Sequence, residues 1–348
     1  RQAYHEWMPI RTAAQGDQGP IYRRFKIGQL ADLIMLDTRV HGRDKQLDYA
    51  VDLPMHSGLF EVTSSGGRLI SDEQAASVAA ERLQRLNIPY DMSSGAPVAV
   101  TDYQQISQLT TETLPEGWLY LPDSQRFKNH VLNDTDRTIL GVDQEQWLTA
   151  ELKASKQRKA IWQVLGQQVL MGKLGLPALT DEQLKLDKVE VKYRPTLKMM
   201  QVLAKDNLPF NLDAWDGYPA CRERVFNSLV DFGVNPIVLA GDTHNGWAFN
   251  LADEQGRAVA VEIGTPSVNS PGLETYLATE PKVLAQAMQD ASSELFAVET
   301  ARRGWSELVL TPDSATNQWH FVSTVLDRQF SVTSADKQLC RAGDREFL

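Results

Sequence analysis

Residues 29–37, QLADLIMLD, form a compact apolar run that ends in the polar triplet Asp37-Thr38-Arg39. Such a run predicts a buried strand with its chemistry at the carboxyl edge, where open α/β sheets place their sites. From residue 143 onward the pattern alternates between helical and strand-like periods. Trp147, Leu148 and Leu152 give a helical stripe behind an expected Asp143/Gln146 cap pair. Strands are expected at 160–165, 236–240, 247–251, 258–263, 305–310 and 319–325. Helices are expected at 193–205 and 219–232, the latter opened by Pro219 and closed by Gly233. The stretch 273–296 reads as largely helical.

Residues 43–136 differ. Turn formers and polar residues dominate, with Ser64-Ser65-Gly66-Gly67 and Ser93-Ser94-Gly95 as loop signals. Ser71 and Gln74 fit a capping box ahead of an amphipathic helix over 75–86. The expected organisation is a core segment at 1–42, an insertion or subdomain at 43–136, core again at 137–300, and C-terminal strands with a tail at 301–348. The mixture predicts a layered α/β fold with mixed sheets.

The net charge of -10 argues against a broad surface for a nucleic-acid duplex. It leaves phosphate substrates open, because bound cations reverse a local field. No run approaches the ~20 apolar residues needed to span a bilayer. The two cysteines, Cys221 and Cys340, allow at most one disulfide, and no CxxC zinc pattern exists.

The sharpest chemical signal is IVLAGDTHNGW at 237–247. A hydrophobic strand delivers Asp242 and His244 onto a glycine-flanked loop. A carboxylate oxygen and an imidazole nitrogen are ligands for first-row metals. A loop Asp capping a turn beside a hydrogen-bonded His is the plainer reading of the same spacing. Arg39 offers a planar fork for phosphate oxygens, or a structural pair with Asp37. Trp215, Asp216 and Tyr218 precede the Pro219 helix and either wall a pocket or pack the loop on the core. Asn245 and Trp247 flank the Asp-x-His motif. Ser267, Asn269 and Ser270 follow a strand, but no G-x-S-x-G elbow supports a serine hydrolase. His5 is a further ligand candidate with an ordinary surface histidine as the alternative.

GDTHNGW resembles the last metal-binding motif of PhoD-like alkaline phosphatases and phosphodiesterases. AYHEWMPIR (3–11), YRRFKIGQLADLIMLDTR (22–39), RTILGVDQEQWL (137–148), WQVLGQQVLM (162–171), DAWDGYPACRER (213–224) and VEIGTPSVNSPG (261–272) resemble the same family in the same order. The resemblance implies a metallophosphatase sandwich of two mixed sheets flanked by helices. It implies two metal ions, iron and calcium, with zinc or manganese as alternatives, and Asp242 and His244 among their ligands. It further implies phosphate mono- or diester substrates, catalysis best at alkaline pH, and a periplasmic or secreted location.

The family's upstream ligand motifs do not occur in these 348 residues. The expectation is therefore that a preceding segment or a second chain completes the site. The competing expectation is an inactive fragment or relative that binds phosphate or a partner. On the leading reading Arg39, Trp215, Tyr218 and Asn245 contact substrate.

Overall fold

The computed structural model describes residues 2–8 and 20–348. The apolar runs become the strands of a seven-stranded mixed sheet. These are β1 (Arg23–Ile27), β2 (Ala31–Met35), β3 (Trp162–Gln167), β4 (Pro236–Ala240), β5 (Gly246–Ala252), β6 (Ala258–Gly264) and β7 (Leu295–Glu299). Their order is β1-β2-β3-β4-β6-β5-β7. β2, β3, β4 and β6 run parallel, so their carboxyl ends share one edge of the sheet. β1, β5 and β7 pair antiparallel to their neighbours. All six residues of β3 are buried, as a strand covered on both faces requires.

Helices α1 (Val142–Gln157), α2 (Arg194–Ala204), α3 (Pro219–Asp231) and α4 (Pro281–Asp290) follow the 3.6-residue pattern. Leu148, Leu152, Val225 and Phe226 from α1 and α3 pack with Leu165, Val238 and Phe249 of the sheet in one core. A second core lies on the opposite sheet face, where Trp162, Val164, Ile237 and Ile263 meet Ala315, Trp319 and Phe321. Those last residues belong to an antiparallel sheet of β8 (Arg303–Leu310), β9 (Ser314–Val322), β10 (Val332–Ser334) and β11 (Gln338–Arg341). The strict in-out alternation of β9 fits a strand with one buried face. The result is a sandwich of two sheets flanked by helices. Cys221 and Cys340 sit in different cores and are free thiols.

The chain divides into two compact units, residues 48–131 and the remainder. Within the first, Ser57–Thr63 pairs with Gly66–Ile70 and Leu83–Asn87. Pro89–Asp91 pairs with Val98–Ala99 and Trp118–Tyr120. Phe60, Ile88 and Ile106 form its small core.

Three local expectations are corrected. The helix over 75–86 is only a turn at Asp72–Ala75, although the Ser71/Gln74 capping box is present; Leu83–Asn87 is a strand. Antiparallel pairing of Leu83–Asn87 with residues 57–61 overrides the helical period there. Helix α1 begins at Val142, so Asp143 lies in its first turn and makes no cap; Gly141, at φ 74°, occupies the cap position. That glycine is needed, because a Cβ on it would lie 2.6 Å from Cα of Gly42. Within residues 273–296 the helical parts are a 3-10 turn (Leu273–Thr275) and α4, and β7 begins at Leu295; Pro281 can open a helix but cannot continue one.

Candidate active site

The loops that leave β2, β3, β4 and β6 all emerge at the shared carboxyl edge. After β2, the carboxylate of Asp37 accepts the backbone N–H groups of Arg39, Val40 and His41 at 3.0, 2.9 and 3.2 Å. Asp37 is thus a buried turn cap, and its service is to aim Arg39 out of the strand end. The Arg39 guanidinium bonds both Asp213 and Asp242. Asp213 is also held by Arg43, whose guanidinium reaches the Thr38 carbonyl at 3.0 Å. Burial pulls the Arg39 pKa down, but bonding to Asp213 and Asp242 outweighs it and leaves the group above its usual value. Burial likewise pushes Asp213 up, and the two arginines more than reverse that.

After β4, Asp242 and His244 both adopt left-handed backbone, at φ 58° and 62°. Asp and His are among the few non-glycine residues that tolerate this region. Two such residues in three positions place real strain at one point, which the fold sustains through neighbours. Thr243 accepts from the Trp247 indole at 2.5 Å. Ser267 donates its N–H to the His244 carbonyl at 3.2 Å. His244 Nδ1 lies 2.7 Å from the Pro271 carbonyl. Asn245 is fully buried and accepts the Leu273 N–H at 3.1 Å, while Gly272 leaves room for its amide.

The loop after β3 is held by carboxylates. Glu262 accepts from the N–H groups of Met171 and Gly172, both at 2.7 Å. Glu294 accepts from Lys173 at 3.0 Å and Asp216 from Leu174 at 2.9 Å. Buried Arg222 bonds Glu294 at 2.6 Å and the Met171 carbonyl at 2.7 Å. One guanidinium therefore faces three carboxylates. Desolvation pushes Glu262 up to about 8 and Asp216 up to about 7. Glu262 has no accessible surface, whereas Asp216 keeps a water-accessible edge.

These loops enclose a cleft of about 230 Å³ lined by Arg39, Asp213, Asp216, Asp242, Thr243 and Trp247, with Leu170, Phe210 and Leu273 as apolar wall. Of the residues singled out from sequence, Arg39, Asp216, Asp242 and Trp247 line it, and His244 does not. Trp215 and Tyr218 do not line it: both are fully buried in the core. The Trp215 indole donates to Gln167 at 2.5 Å, and the Tyr218 hydroxyl donates to the Asp44 carbonyl at 2.9 Å. Asn245 stands behind the wall, not in it. Sequence reading missed Asp213 as the partner of both arginines, although it opens the DAWDGYP segment. Arg43, Arg222 and Glu262 were missed as well, since no local spacing marks them. The side chain of His5 and residues 9–19 lie outside the described residues.

The motif's donors fit a metal in chemistry. With Nδ1 donating to a carbonyl, His244 keeps the Nε2 lone pair, which is how ligating histidines are oriented. Asp242 offers a carboxylate at the cleft. Among the described residues, however, no group of three or more His, Cys, Asp or Glu is placed to hold an ion. Two donors alone do not make a complete ligand set.

The PhoD-like phosphatase family model matches residues 1–319. Alkaline phosphatase D of Bacillus subtilis (strain 168) is 26% identical over 253 residues, which is 72% of this chain and 26% of that protein. A solved structure of PhoD covers 99% of this chain and 47% of its own, with a TM-score of 0.58 at 21% identity. The chain thus spans about half or less of the length of these two proteins, and the structural likeness concerns the fold.

Proposed function

The chain belongs to the PhoD-like phosphatase family, and on that premise we propose that its cleft binds and hydrolyses phosphate mono- or diesters. The observation that carries the reading is the convergence of Arg39 from the end of β2 and Asp242 from the end of β4 on one cleft. Carboxyl ends of parallel strands are where such folds gather chemistry. Arg39 would release its carboxylate partners in favour of phosphoryl oxygens, to which its planar fork is matched.

A second part of the proposal concerns cations. Arg39 is outnumbered in the cleft by Asp213 and Asp242, and Asp216 joins them as it loses its proton above about pH 7. An anionic ester would meet a repulsive field unless positive charge were added. Asp242 and His244 would hold such an ion, with further ligands supplied from outside the described residues. Iron and calcium are the ions the family resemblance implies. Bound there, a metal supplies Lewis-acid polarisation and an activated water. A location outside the cytoplasm belongs to the same proposal. Among the described residues no helix is long and apolar enough to cross a membrane.

The test is hydrolysis of p-nitrophenyl phosphate and bis(p-nitrophenyl) phosphate by the chain and by any longer polypeptide containing it, before and after exhaustive chelation. Turnover lost on chelation and restored by metal supports the reading; turnover indifferent to chelation defeats the metal half. The incomplete donor set favours a second reading, a phosphate- or partner-binding module without turnover. Purified chain with no bound metal, no turnover and intact phosphate binding would select it.

A further inference from the structure

Beside the charged cleft lies a separate chamber of about 270 Å³ with almost no polar wall. It is formed by α2 and the turn at Leu273–Thr275, and its lining includes Leu184, Leu197, Met200, Tyr276 and Leu277. Phe210 and Leu273 line both spaces. The chamber therefore adjoins the place where Arg39 and Asp242 meet. Its polar lining is small. The Gln201 amide is already spent on the Leu179 carbonyl at 2.8 Å and on Asp181 at 3.0 Å. At one side Tyr193 and Tyr276 stand edge to face, with ring centroids 5.9 Å apart and planes at 86°. That packing gives the chamber a rigid aromatic corner.

We infer that this chamber receives the apolar organic group esterified to the phosphate, a compact ring system or hydrocarbon of similar bulk. A ligand part seated there gains from leaving water and meets almost no polar surface that could bond a hydroxyl or a charge, so sugars and polyols are disfavoured. An apolar cavity of about 150 Å³ accommodates a single benzene ring, so the larger volume here has room for a fused pair. Phe210 and Leu273 border both spaces, and the proposed ester lies across them, its phosphate at Arg39 and its apolar group in the chamber. The inference rests on the phosphate-binding reading of the cleft and adds the class of ester it selects.

Titration calorimetry on the full chain, with divalent metal present throughout, using inorganic phosphate, methyl phosphate and 1-naphthyl phosphate, tests it. The expected result is measurable binding of all three, with 1-naphthyl phosphate on the order of tenfold tighter than methyl phosphate. Met200→Trp and Thr196→Phe, which fill the chamber from α2, are expected to bring that ratio down toward one. A ratio near one in the natural chain, or a ratio unmoved by both variants, overturns the inference while phosphate binding keeps the cleft assignment. Equal loss for both esters in both variants also overturns it. Failure of inorganic phosphate to bind at all removes the cleft assignment and the inference with it.

Discussion

Arg39 and Asp242, 203 positions apart in the chain, form an ion pair where β2 and β4 end. Both side chains keep substantial solvent access, at 32% and 51%. Pairs of this kind contribute about 0–1 kcal/mol to stability. Arg39→Ala should therefore shift urea-unfolding stability by no more than about 1 kcal/mol. The same change should weaken phosphate binding by well over tenfold, and Arg39→Lys by roughly tenfold, since a point charge cannot copy the planar fork. Calorimetric titration of phosphate checks both. Unchanged affinity in Arg39→Ala would remove this residue from substrate binding.

The left-handed backbone at Asp242 separates chemistry from folding. Asn tolerates φ 58° nearly as well as Asp, so Asp242→Asn should melt close to the natural chain. Asp242→Val forces a β-branched side chain into the same region and should cost about 1–3 kcal/mol. Both variants should lose at least tenfold in metal affinity, read by competition with a chelating dye. Equal stability of the two variants would contradict the backbone argument.

The carboxylates around the 171–174 loop give a pH signature. Glu262 and Asp216 hold protons in the folded state at pH values where the unfolded chain releases them. The folded pKa values of about 8 and about 7 lie above the ordinary 4.5 and 3.8. The stabilisation is complete at low pH and is lost as pH rises through that window. The unfolding free energy from urea titrations should fall between about pH 4 and pH 8, by an amount on the order of a few kcal/mol. Glu262→Gln, which has no proton to lose, should flatten the profile while lowering stability at pH 5 by about 1–3 kcal/mol through the weakened bonds to Met171 and Gly172. A profile equally steep in this variant would assign the slope to other groups.

Arg222 is the buried cation of that cluster, only 1% exposed and bonded to Glu294. Removing one member of a buried pair leaves the other charge uncompensated. Arg222→Met should cost about 3–5 kcal/mol, measured by equilibrium unfolding at pH 8. At pH 5 the loss should be smaller, because Glu262 and Asp216 then carry protons and add no charge to the cluster.

The sequence reading was strongest where one period dominates. The parallel strands β3, β4 and β6 stood out because they are nearly continuous apolar runs, and α3 was bracketed by Pro219 and Gly233. It failed at 75–86, where the periodicity favours a helix but a strand partner decides the outcome. In the cleft, Asp242 and Arg39 were legible because each follows an apolar run directly. Trp215 and Tyr218 looked like pocket walls only because aromatic loops resemble one another in sequence. Their indole and hydroxyl hydrogens are spent on Gln167 and Asp44, far along the chain. Glu262 was invisible for a related reason: inside VEIG it reads as one polar residue in a strand, and its partners Met171 and Gly172 lie on another loop.

The pairing of β2 with β3 joins Leu33 to Val164, so the sheet's parallel centre requires closure of a loop more than a hundred residues long. The β8–β9 hairpin needs only a short turn between Leu310 and Ser314. Ring-closure entropy and contact order set these events far apart in time. On refolding, the peripheral antiparallel sheet should acquire hydrogen-exchange protection early. The edge that gathers Arg39 and Asp242 should be among the last parts of the molecule to assemble.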